Sequence, residues 1–261
     1  MSTDRTWQDL RQVPRIEPTP RWVRVRRGAT VVADSRRALL LVRYGTGALP
    51  TYCFPAADVR TDLLAPSGAP AAGGEWPHDV TIDGDTLPGA ATLFHDPPSP
   101  LAALDGHWTF AWEAGLAWFE EAFEVHVHAR DPWKRVDAVP SERHVQVEVD
   151  GVVLASSTRP HAVFETHLPT RWYLPLEDVR TDLLVPSATV TRCPYKGTAS
   201  YWSVRVGDVV HDDLAWTYAD PIPECPRIKG LVAFYDERVD VVLDGVRQER
   251  PRTQWSPVTR A

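Results

Sequence analysis

Cys193, Tyr195 and Lys196 fall within four residues of one another in the stretch TRCPYKGTASYWSV, residues 191–204. A thiol three residues from an amine is a reactive pairing, because a nearby ammonium raises the thiolate fraction that attacks electrophiles or metals. Pro194 biases Cys193 towards extended backbone, and Gly197 permits a tight bend just after Lys196. Cys193 and Lys196 are therefore the candidate catalytic pair. The competing reading is a buried structural cysteine, with Lys196 running its stem along the surface into solvent. The chain uses arginine for nearly all of its positive charge. Its only lysines are Lys134, Lys196 and Lys229, so each lysine position is informative.

Candidate ligand-binding side chains surround this motif. Glu165 could point inwards as a base or as a partner for Lys196, or outwards into water. Tyr173, Tyr195, Tyr201, Trp216, Tyr218 and Tyr235 supply rings and hydroxyls of the kind that wall a small-molecule pocket, although most large rings in a small β domain are core. Strand alternation sends Tyr201 and Trp202 to opposite faces and puts Trp216 and Tyr218 on one face, joined there by Tyr235 or Phe234. A zinc site is the alternative chemistry. CPYKG and CPRIKG (225–230) each supply one cysteine, where structural zinc uses paired knuckles, and His161, His167 and His211 are scattered. No metal is expected. No cofactor is expected either: GTGALP (45–50) lacks the following helix and lysine of a phosphate loop.

The elements that must position these residues occur twice. DVRTDLLAPS (58–67) and DVRTDLLVPS (178–187) agree at nine of ten positions, 120 residues apart. VRVRRGATVVADS (23–35) matches VQVEVDGVVLASS (145–157), both with the period of two that marks half-buried strands around a turn. Further on, WTFA (108–111) is aligned with WTYA (216–219), and AWFEEAFEVHV (117–127) with AFYDERVDVVL (233–243). That alignment sets Phe110 against Tyr218, Phe119 against Tyr235, Trp108 against Trp216 and Arg43 against Glu165. The N-terminal copy has no counterpart of Cys193, Tyr195 or Lys196. Rings preserve a core, whereas phenols, an amine and a carboxylate are what a site needs, so the working site is assigned to the C-terminal copy. Asp178, Arg180 and Asp182 recur as Asp58, Arg60 and Asp62. They are read as a structural turn or cap, with Val179, Leu183 and Leu184 sharing one face of a helical turn.

Short strands bounded by Pro, Gly and Asp, with few helical periods, predict a mainly β protein of two tandem small domains. The expected boundaries are an N-terminal arm 1–20, a diverged domain 21–134, a linker 135–143, an intact domain 144–250 and a tail 251–261. The net charge of −7 and the pI of 5.7 argue against a nucleic-acid partner. The basic stretch RWVRVRRGA (21–29) fits a solvated strand face. No apolar run reaches the ~18 residues of a membrane span, and the start lacks a secretion signal's apolar centre. Three cysteines fit a reducing, cytoplasmic setting.

Through FETHLPTRWYLPLEDV, TRCPYKGTASYWSV, AWTYADPIPE and GLVAFYDERVD the C-terminal copy resembles the DUF427 proteins along nearly its whole length. The N-terminal copy is similar to a diverged member without the motif. The resemblance implies a compact fold of the β-tent or Mss4-like kind, whose other members include methionine sulfoxide reductase B and the aromatic-cage domain of cereblon. Fold does not transmit function. The family has also carried a nucleotidyltransferase label, but the sequence has no Gly-Ser followed by a spaced Asp-x-Asp pair. Three functions remain in view. The first is a binding domain for a small molecule or modified residue, with rings, Lys196 and Glu165 as its pocket. The second is an enzyme using Cys193 as nucleophile or redox centre. The third is a structural or interaction module, which leaves the thiol and amine unexplained.

Overall fold

The computed structural model describes residues 14–44, 48–71 and 73–257. They fall into two compact units that divide between Asp131 and Pro132. Both are β structures, and no α-helix occurs among the described residues. Among the described residues no helix is long and apolar enough to cross a membrane.

The N-terminal unit contains β1 (Arg15–Pro18), β2 (Val23–Arg27), β3 (Thr30–Ser35), β4 (Leu39–Val42), β5 (Thr51–Pro55), β6 (Leu64–Pro66), β7 (Glu75–Ile82), β8 (Asp85–Phe94), β9 (His107–Phe110), β10 (Ala117–Glu120) and β11 (Phe123–Val125). They form one sheet in the order β1-β4-β5-β9-β8-β7-β6 and a second in the order β11-β10-β2-β3. The C-terminal unit contains β12 (Val136–Pro140), β13 (Val145–Val149), β14 (Val152–Ser157), β15 (His161–Glu165), β16 (Arg171–Tyr173), β17 (Leu184–Cys193), β18 (Gly197–Val206), β19 (Val209–Thr217), β20 (Val232–Phe234), β21 (Asp240–Leu243) and β22 (Val246–Arg247). Here β12-β15-β16 and β17-β18-β19-β20 are joined by the bridge between Leu174 and Val232, and β22-β21-β13-β14 is the second sheet. Strand for strand, the two units have one topology.

Two expected boundaries shift. The arm 1–20 contains β1, which pairs with β4, and the linker 135–143 contains β12, which pairs with β15. Each unit thus begins on an edge strand, in place of the expected arm in one and the expected linker in the other, because RIEP and VDAVP are too short and proline-marked to show a period. The rest of the arm, residues 1–13, lies outside the described residues. The tail also packs on its unit, with Thr253 Oγ1 donating to Glu237.

Strand register corrects the alignment of the copies beyond the decapeptide. Leu64 pairs with Val80 and Leu184 with Val204, so Val204 stands where Val80 does. Following the pairings outward, Ala215 replaces Ala91 and Phe234 replaces Phe110. WTF of β9 is therefore the equivalent of VAF in β20, not of WTY in β19. Tyr218 takes the place of Phe94: Gly230 N donates to Tyr218 O, and Gly106 N to Phe94 O, each at 2.9 Å. Tyr235 takes the place of Ala111, bonded alike to Leu214 O and Ala90 O, while Phe119 corresponds to Val242 in β21. WTFA and WTYA are alike over four residues but lie on strands that are not equivalent. The offset between copies steps from 120 to 124 across one hairpin, where residues 192–198 stand in place of residues 72–74. That longer tip is the Cys-Pro-Tyr-Lys-Gly motif.

The repeated decapeptide is a pair of single 3-10 turns, Leu176–Asp178 and Thr181–Leu183, rather than one helical turn. Val179, Leu183 and Leu184 do share a face on the unit's main core. Asp178 caps neither turn. It accepts Ser157 Oγ at 2.7 Å and pairs with Arg159, as Asp58 does with Ser35 and Arg37. Arg180–Asp182 and Arg60–Asp62 are matching exposed pairs. The motif ties the hairpin β13–β14, or β2–β3, to the strand that follows, which is why both copies keep it.

Candidate functional site

Period-two alternation gives the long sheet of the C-terminal unit two faces. Trp172, Leu174, Trp202, Ala215, Val232 and Phe234 point into the main core against β13, β14 and β21. Val163, Tyr173, Tyr201, Trp216, Tyr218 and Ala233 point the other way into a second cluster, with Cys193, Cys225 and Tyr235 against it. Neighbours in sequence thus part company as expected, Tyr201 from Trp202. Of the two rings considered for the wall, Tyr235 joins it and Phe234 is main core. The apolar cluster on the same face of the N-terminal unit is smaller, Leu41, Cys53, Phe94 and Leu104, with Ile16, Leu39 and Leu101 packed against them.

The hairpin tip carries the charge. Cys193 pairs with Gly197 across the turn, and Lys196 N donates to Cys193 O at 3.3 Å. Gly197 has φ +108°, and a Cβ there would come within 3.2 Å of Ile222 N, so this position requires glycine. The close approach lets Ile222 N donate to Lys196 O at 3.1 Å, which clamps the 220–225 loop onto the tip. From this turn the Lys196 side chain runs inwards and its ammonium donates to Glu165 Oε2. Lys134 Nζ reaches the other carboxylate oxygen at 3.0 Å. All three side chains are nearly buried, at 12%, 7% and 10% exposure for Lys196, Glu165 and Lys134.

Burial opposes ionisation of Glu165, but the Lys196 and Lys134 charges outweigh it and hold the carboxyl below its ordinary value. Burial likewise opposes the Lys196 charge, and Glu165 overcomes it, so the ammonium is held above its ordinary value. The pair is ionised and self-consistent. Glu165 corresponds by register to Arg43, and there the charge is reversed: Arg43 pairs with Glu75 at 2.6 Å.

Around this pair stand the phenols. Trp216 Nε1 donates to the Tyr173 hydroxyl at 3.0 Å, with the rings edge to face. Burial pushes Tyr173 up to about 12, with the Lys196 charge pulling against it. Tyr218 is 5% exposed and also pushed upwards, by burial first and then by Tyr173, Cys193, Tyr201 and Glu165. Among the described residues its hydroxyl has no hydrogen-bond partner. Tyr201 hydrogen-bonds Thr191 at 2.9 Å and Tyr235 at 3.4 Å, and the Tyr235 ring lies 4.6 Å from Trp216. The Tyr195 ring lies 5.4 Å from Lys134 Nζ, the ammonium that contacts Glu165.

A second charged group flanks the same rings. Arg171 pairs with Glu237 and, at 3.4 Å, with Asp236, and it lies over Trp216 and Trp255. Burial raises Asp236 to about 7, Arg171 opposing and Glu237 reinforcing.

The structure thus gathers Glu165, Tyr173, Cys193, Lys196, Tyr201, Trp216, Tyr218 and Tyr235, with the Tyr195 ring near Lys134. Sequence reasoning missed Lys134, Arg171, Asp236, Glu237 and Trp255. Lysine scarcity was a usable signal for Lys134; the others carry none. Cys225 packs against the same cluster as Cys193, with both thiols free. No group of three or more His, Cys, Asp or Glu side chains placed to hold a metal occurs among the described residues.

A duplicated β unit with functional groups concentrated on one buried face of the second copy defines the class of protein. The chain belongs to a family described as a domain of unknown function (DUF427), whose model matches residues 15–121 and again 137–245. Both matches begin at the edge strands β1 and β12. Among curated proteins no match to the chain was found.

Proposed function

We propose that the C-terminal unit binds a small molecule over the face formed by Trp216, Tyr235, Tyr218 and Tyr173, with Lys196 and Glu165 as its polar floor. The N-terminal unit is the same frame without the site. One observation carries this reading: the substitutions at register-equivalent positions. Tyr218 stands for Phe94, Tyr173 for Cys53 and Tyr235 for Ala111, and an inward carboxylate–lysine pair stands where the other copy has an arginine–carboxylate pair. A scaffold needs bulk here, and the N-terminal copy supplies it with leucine and phenylalanine. Phenols and buried charge cost desolvation and are kept where they meet a partner.

The test is a thermal-shift screen of a metabolite library on the full chain, repeated on Tyr235→Ala and Tyr218→Phe. Each variant imports the N-terminal copy's residue. Hits should weaken or vanish in these variants. Hits of undiminished strength in both would overturn the reading. The enzymatic alternative rests on Cys193, which packs on the same cluster and lies within electrostatic reach of Lys196, Tyr173 and Tyr218. Loss of turnover with retained binding in Cys193→Ala would favour it.

A further inference from the structure

The hydrogen-bonding capacity around Lys196 is unbalanced. The ammonium has three N–H donors and gives one to Glu165. The Tyr173 oxygen accepts from Trp216, which leaves its own hydrogen to give. The Tyr218 hydroxyl has no partner among the described residues, and the Cys193 thiol adds a weak donor nearby. The one carboxylate here has both oxygens engaged, by Lys196 and by Lys134. These side chains thus keep N–H and O–H hydrogens that no bond among the described residues uses, and a ligand rich in acceptors would take them.

We propose that the ligand of this face is a small monocarboxylate, its oxygens bound by Lys196, Tyr218 and Tyr173 and its apolar body lying against Trp216 and Tyr235. The inference rests on the functional reading above and narrows it to a chemical class. An anion is favoured over a neutral carbonyl because charge-assisted hydrogen bonds are about twice as strong as neutral ones. A phosphate is disfavoured. Its second charge would face the Glu165 carboxylate, and the Arg171 guanidinium is already ion-paired with Asp236 and Glu237.

The probes are benzoate, its neutral isostere benzamide, and phenyl phosphate. They are titrated into the full chain at neutral pH and followed by ligand-observed NMR and calorimetry. Benzoate should bind, and benzamide more weakly by about tenfold or more. Tyr218→Phe should weaken benzoate without lowering Tm, because no hydrogen bond within the protein is lost. Lys196→Met should abolish binding, while Lys229→Met, which removes the same charge from an exposed site, should leave it unchanged. Equal binding of benzoate and benzamide, both lost in Trp216→Leu, would overturn the carboxylate class and leave the aromatic site standing. Phenyl phosphate binding more tightly than benzoate would overturn it in favour of a phosphate. If no probe binds and no library hit responds to Trp216→Leu, the inference and the functional reading fall together.

Discussion

Glu165→Gln removes the charge on which two buried lysines depend. In the native unit the carboxylate touches Lys196 and Lys134, with all three side chains close to 10% exposed. Breaking a buried pair by deleting one partner costs roughly 3–5 kcal/mol, because the remaining charge is left uncompensated. Residual exposure puts the expectation at the lower end, about 3 kcal/mol. For a unit the size of residues 132–257, that corresponds to a fall in Tm of roughly 10 °C. Lys196→Met should cost less, because Lys134 still neutralises the carboxylate. The double variant should be less destabilised than the sum of the singles by about 1–3 kcal/mol.

The pH dependence follows with a definite sign. Glu165 is held below its ordinary value of 4.5, so its contribution is full above that pH and lost as pH falls through the lower, folded value. Lys196 is held above 10.5, so its contribution is full below that pH and lost only as pH rises through its higher, folded value. Between these limits the stabilisation should be flat. Calorimetric unfolding of the four proteins across this range is the assay. A Glu165→Gln protein within about 2 °C of wild type, or strictly additive variants, would refute the argument that this is a buried, coupled network.

Tyr173→Phe should destabilise by about 1–3 kcal/mol in urea, because it leaves the buried Trp216 Nε1–H unpaired, whereas Tyr218→Phe should stay within about 0.5 kcal/mol. In the other unit, Phe94→Tyr should cost about 1–3 kcal/mol by placing a hydroxyl among Leu41, Cys53 and Leu104, and should leave ligand-induced shifts untouched. Asp236, raised to about 7, should make stability fall as pH climbs from about 4 towards 7, because the folded state then holds a proton the unfolded state has released; Asp236→Asn should flatten that slope in Tm-against-pH profiles. Cys193, partly exposed, should alkylate before the buried Cys53 and Cys225 in a timed labelling and mass-spectrometric assay; equal rates, or a Cys193 that labels only after denaturation, would refute its placement at the surface of the cluster.

Much of this protein was legible in one dimension. Strand alternation is a local property of the chain, so VQVEV and SYWSV disclosed their two faces, and a duplicated decapeptide disclosed two units of one design. The motif's absence from the first copy was legible as well, because a seven-residue hairpin tip has no counterpart in a three-residue one. Pairing between strands is not local, and it was decided only by the tertiary structure. WTFA resembles WTYA by letter, but β9 sits on the far side of β8 and belongs with β20, so the ring that lost its hydroxyl is Phe94 and not Phe110. Short edge strands, RIEP and VDAVP, have too few residues to carry a period and are defined by their partners. The same reason hid Lys134 and Arg171. Their roles come from carboxylates 31 and 66 residues away in sequence, at Glu165 and Glu237, which only the closing of the sheet brings within reach.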